Sequence, residues 1–106
     1  MTDFAKNIEI VTANLAETTT FEMSLEDTRI NVKLAAIERI MRAGDNPLTG
    51  KPHSFSSAEA IVNTDGEYQN YLERLRQAAH NRIVARGAYD AAVAAARLQA
   101  GAGANV

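Results

Sequence analysis

Along the N-terminal part of the chain, large apolar residues recur at Phe4, Ile8, Val11, Leu15, Met23, Ile30, Leu34, Ile37 and Met41, with Thr19 and Glu26 at the two missing steps. The spacing averages about 3.7 residues, close to the α-helical period. No Pro or Gly interrupts residues 3–42. The pattern predicts one long helix over about residues 3–42, or two nearly collinear ones, with a stripe that winds little. Thr18-Thr19-Thr20 is the weak point, because three β-branched residues in a row lower helix propensity. Ser24-Leu25-Glu26-Asp27 offers a fresh N-terminal cap. Gly44 suits the left-handed position that ends a helix.

The next stretch, Asp45-Asn46-Pro47-Leu48-Thr49-Gly50-Lys51-Pro52-His53-Ser54-Phe55, holds both prolines and reads as a loop. Ser56-Ser57-Ala58-Glu59 and Thr64-Asp65-Gly66-Glu67 are capping-box patterns. They predict a short helix over about 57–63 and a long one over about 66–99. The long one carries Tyr68, Tyr71, Leu72, Leu75, Ala78, Ala79, Ile83, Ala92, Val93 and Ala96 on roughly one side. Arg86-Gly87 marks a kink or a close helix contact, and residues 100–106 are expected to fray. Phe55 reads either as a hydrophobic staple ahead of a cap at Ser56 or as an anchor for a partner.

The predicted fold is all-α, in one domain over residues 1–106. It is an antiparallel hairpin of two long helices with a short helix near the bend. Residues 1–42 carry more acids than bases and residues 67–106 the reverse, which favours pairing of the arms. Composition adds one expectation. The chain has 106 residues, and 20 of them are alanine. Alanine buries little area, and hydrophobic stabilisation scales with area. Two helices so built do not close a core. Completion by oligomerisation into a helical bundle is therefore expected, with Ile30, Leu34, Ile37, Leu72, Leu75 and Ile83 at the interface.

Several function classes drop out. The chain has no Cys, so it has no disulfide framework and no thiolate chemistry. No apolar run approaches a membrane span, and Met1-Thr2-Asp3-Phe4-Ala5-Lys6 lacks the form of a secretory signal. The cytoplasm is the expected compartment. A net charge of −2 is the wrong sign for a general nucleic-acid binder. Gly44 and Gly50-Lys51 are similar to a phosphate-binding loop, but Pro52 stands where a Mg²⁺-binding hydroxyl is needed, and the run follows a helix rather than a strand. His53 and His80 form no metal-ligand spacing, so no metal, cofactor or catalytic residue is expected. Glu22, Glu26 and Asp27 read as a solvated acidic face.

Two binding surfaces remain. The bend presents Lys51, His53 and Phe55 to a macromolecular partner. Alternatively, Arg82 and Arg86, near Tyr89, would bind single-stranded nucleic acid or an anionic nucleotide together with Lys51. The bend from Asn46 through Glu59 resembles a loop of small helical accessory proteins of tailed-phage and prophage genomes. That resemblance implies a non-enzymatic protein of the bacterial host cytoplasm, acting by binding.

Overall fold

The computed structural model describes residues 3–104. The elements are α1 (Phe4–Asp27), α2 (Arg29–Ala43), β1 (Asp45–Asn46), β2 (Lys51–Pro52), α3 (Phe55–Ala60), a 3₁₀ turn (Val62–Thr64) and α4 (Gly66–Ala104). The chain forms two compact units. One is Ser24–Arg76; the other joins the segments on either side of it.

In the unit made by the two flanking segments, α1 starts at a cap. Asp3 Oδ1 accepts from Lys6 N–H at 2.9 Å, one of the orphan donors that every helix start leaves. The threonine run stays helical, with the Thr18 hydroxyl donating back to the carbonyls of Asn14 at 2.9 Å and Leu15 at 3.1 Å. The half-buried positions of α1 are Phe4, Ile8, Val11, Leu15, the pair Thr18-Thr19, and Glu22, which give alternating steps of four and three when taken through Thr18. Opposite them, α4 turns Ala78, Arg82, Ala85, Tyr89, Ala92 and Ala96 inward with the same alternation. That is the seven-residue repeat of an antiparallel coiled-coil seam, averaging about 3.5 residues per step. Ala78, Ala85 and Ala92 are buried. A salt bridge between Glu22 and Arg82 occupies one step of the seam.

The seam corrects the stripe read from the sequence. A spacing near 3.7 overtakes one of 3.5 by about two residues in ten steps. The stripe therefore starts on the seam at Phe4 and leaves it before Met23, which is exposed. On α4 the same drift puts Ile83 outside, beside the inward Arg82. Gly87 interrupts nothing and has open space around it, so no close helix contact occurs there. The helix continues to Ala104, past the predicted end near residue 99. Asn105 and Val106, like Met1 and Thr2, lie outside the described residues.

Within Ser24–Arg76 the core is Leu25, Ala36, Ile37, Ala58, Val62, Tyr68 and Tyr71. Here α2 packs on α3, each with a fully buried alanine, Ala36 and Ala58, and Lys33 reaches Glu59 at 3.5 Å. The first long helix is interrupted, at Thr28 rather than at Thr18-Thr19-Thr20. Ser54, not Ser56, caps α3: its Oγ accepts from Ser57 N–H at 3.1 Å. Asp65 caps α4, with Oδ2 accepting from Tyr68 N–H at 2.9 Å. Arg39 grips the same carboxylate with two hydrogen bonds, at 3.1 and 2.7 Å. Bidentate pairs of this kind are the strong, geometrically specific ones. This one ties the C-terminal half of α2 to the start of α4.

Candidate functional site

The bend between α2 and α3 is not an irregular loop. Gly44 is extended rather than left-handed and leads into a small antiparallel hairpin, with Asp45 opposite Pro52 and Asn46 opposite Lys51. Asn46 builds the turn. Its side-chain Oδ1 accepts from Leu48 N–H at 3.0 Å, and its carbonyl accepts from Gly50 N–H at 2.8 Å and Thr49 N–H at 3.2 Å. Such side-chain mimicry of a backbone turn is what Asn does in this position. Gly50 has φ of 66°, the left-handed region where a Cβ is unfavourable. The Thr49 hydroxyl then accepts from Lys51 N–H at 3.3 Å.

This bonding holds Leu48 at the tip with 92% of its surface exposed. Leu48 is the candidate contact residue that sequence reasoning missed. It lay inside a run read as polar turn. The signal was a lone large aliphatic residue between Pro47 and Thr49, two positions after an Asn.

The predicted partner-binding residues separate. Lys51 is exposed on the hairpin. Phe55 is half-exposed and is the first residue of α3. A staple residue precedes the cap, whereas Phe55 follows the cap at Ser54, so the staple reading is corrected. His53 turns back onto the structure, with Nδ1 2.9 Å from Ser57 Oγ. Ser57 Oγ donates to the Ser54 carbonyl at 3.1 Å. His53 braces the start of α3 through this contact. As for the phosphate-loop likeness, five residues separate Gly44 from Gly50, one more than such loops have.

The predicted nucleic-acid set is divided. Lys51 lies in Ser24–Arg76, whereas Arg82 and Arg86 lie in the other unit. Arg82 is bonded to Glu22 in the seam. Arg86 pairs with Asp90 at 3.3 Å and lies 5.8 Å from the centre of the Tyr89 ring. Both guanidinium groups thus carry internal partners. Of the acidic cluster, Glu22 is in the seam, not on a solvated face, and Glu26 pairs with Arg29 at 3.1 Å.

The predicted interface residues also divide. Ile37 is 1% exposed and belongs to the chain's own core, so it is not available to a partner. Leu72 and Leu75 are half-buried. Ile30, Leu34 and Ile83 are exposed. On α2, Ile30, Leu34 and Met41 share one helical side beside the buried one, and all three are exposed.

Asp65 is the clearest electrostatic feature. Its carboxyl is held below the ordinary value, first by the Arg39 hydrogen bond, with burial opposing and the Tyr68 N–H assisting. Among the described residues no helix is long and apolar enough to cross a membrane, and no group of three His, Asp or Glu side chains is placed to hold a metal ion. Compared with models of protein families, with curated proteins and with solved structures, the chain matches none of them.

Proposed function

We propose that the protein is a non-enzymatic helical interaction protein whose bend contacts a macromolecular partner and whose helices assemble it as a homo-oligomer. One observation carries the reading: the exposed Leu48 side chain on a hairpin tip tied by its own hydrogen bonds. A large apolar side chain held in water by a rigid turn costs solvation and loses little further entropy on binding, which is the arrangement of an interface anchor. Lys51 and Phe55 follow it in sequence. Leu48 replaces the turned-in His53 in the contact set.

Self-association rests on Ile30, Leu34 and Met41 of α2, a contiguous apolar side open to solvent. The likeness of the bend to small helical proteins of tailed-phage and prophage genomes supports an accessory role in a bacterial host cytoplasm.

The test compares the wild-type chain with Leu48→Ser and with Lys51→Ala/Phe55→Ala. Each is used to capture partners from bacterial lysate, and each is melted. The expected result is loss of one partner band with Leu48→Ser at an unchanged melting temperature, because the tip touches nothing that a fold needs. Full recovery with both variants removes the bend as the contact. Salt-dependent binding of a labelled oligonucleotide, lost in Arg82→Ala and Arg86→Ala, would replace this reading with the nucleic-acid one. A wild-type monomer in light scattering at micromolar concentration ends the oligomer part.

A further inference from the structure

The break between α1 and α2 centres on one carbonyl. Leu25 C=O accepts from Thr28 N–H at 3.2 Å, from the Thr28 hydroxyl at 2.8 Å and from the buried hydroxyl of Tyr71. An uninterrupted helix gives that carbonyl to Arg29 N–H. Nothing covalent enforces the interruption: residues 24–32 include no Pro and no Gly. Thr28 sits at φ −91° and ψ −2°, a modest rotation from helical values. A helix without Pro or Gly is interrupted where a side chain enters its hydrogen-bond ladder, and two side-chain hydroxyls do so here.

A second tyrosine serves the other side of the break. Tyr68 stacks on Tyr71, with ring centroids 6.2 Å apart and planes 18° from parallel. Arg29, the first residue of α2, has its pKa raised by Glu26 first and by the Tyr68 hydroxyl in addition. Arg29 also reaches back across Thr28 to Glu26 at 3.1 Å. One tyrosine therefore holds the end of α1 and its stacked neighbour engages the start of α2.

We propose that the break at Thr28 is a hydroxyl-latched hinge. The Thr28 and Tyr71 hydroxyls occupy the Leu25 carbonyl, and their withdrawal lets Arg29 N–H close onto it, joining α1 and α2 into one continuous helix. The latch thereby sets the direction in which Ile30 and Leu34, just beyond the break, face solvent. This inference rests on the geometry of the break and stands whether or not the bend binds a partner.

The test is amide exchange and backbone chemical shifts by NMR on the full chain. It compares wild type with Tyr71→Phe, Thr28→Val and the double variant, which keep the ring stack and the side-chain shapes. In the double variant the Arg29 amide should exchange about tenfold more slowly, the gain of one hydrogen bond. The Cα shifts of residues 26–30 should become uniformly helical. Unchanged exchange and shifts in the double variant overturn the proposal. Should that variant not fold, Tyr71→Phe decides alone: slower Arg29 exchange supports the latch, and unchanged or faster exchange refutes it.

Discussion

Ile37→Ala and Ile30→Ala delete the same atoms from the same helix, and the structure assigns them different consequences. Ile37 is 1% exposed and Ile30 is 73% exposed. Truncating a fully buried Ile removes about 0.8 kcal/mol per methylene-sized group and leaves a cavity, so about 3 kcal/mol is expected for Ile37→Ala. A chain of this length holds about 5–15 kcal/mol in total. The loss is thus a large share of it, and the melting temperature should fall by about 15 °C. For Ile30→Ala within one chain the loss is about 0.5 kcal/mol. Both variants are unfolded in urea, followed by helical circular dichroism, at a low and a high protein concentration. At low concentration Ile37→Ala should be severely destabilised and Ile30→Ala close to wild type. If Ile30 lies in an interface between copies, its deficit grows with concentration, because association stabilises the wild type by mass action. Equal deficits for both variants at low concentration would refute the burial of Ile37 alone in the Ser24–Arg76 core and reinstate the stripe through Ile30 as part of it.

Glu22→Ala, Arg82→Ala and their combination should show a coupling of about 1 kcal/mol, above that of an ordinary exposed helix pair; a coupling near zero removes the pair from the register of the seam. Asp65 binds its proton less readily in the folded chain than in the unfolded one. Its contribution is therefore complete above the unfolded value, about pH 4, and is lost as pH falls through the lower folded value. Asp65→Asn should flatten that acid limb in pH-dependent thermal melts, and an unaltered limb would place the acid sensitivity elsewhere. Ser54→Ala should cost about 1 kcal/mol in thermal unfolding through loss of the α3 cap; a similar cost from Ser56→Ala, with none from Ser54→Ala, would restore the cap at Ser56.

The helical class, the bend and the start of α4 at Gly66 were legible because their causes are local. A long run without Pro or Gly, turn-forming residues around Pro47 and Pro52, and a carboxylate placed to cap are properties of neighbouring residues. The hairpin and Leu48 at its tip were less legible. Asn46 signals a turn, but the sequence does not say that its amide and carbonyl hold the turn closed. The sequence put Ile30, Leu34 and Ile37 together at an interface between copies, since all three match a helical period taken on its own; only the structure separates Ile37, buried in the chain's own core, from the exposed Ile30 and Leu34.

What the sequence by itself determined, then, is roughly where helices form and stop, while the capping side chains fell one or two residues from the predicted ones, at Ser54 rather than Ser56 and at Asp65 rather than Thr64. What only the tertiary structure decided is which side of each helix is buried and where the first one breaks. Apolar spacing specifies a face to within the drift between about 3.5 and 3.7 residues, and only a partner helix selects the phase. Glu22 could be assigned to the seam only once Arg82 lay opposite it. The interruption at Thr28 needs the hydroxyl of Tyr71, 46 residues away in sequence. A helix propagates on local hydrogen bonds, whereas this break depends on a donor that only folding brings to the Leu25 carbonyl.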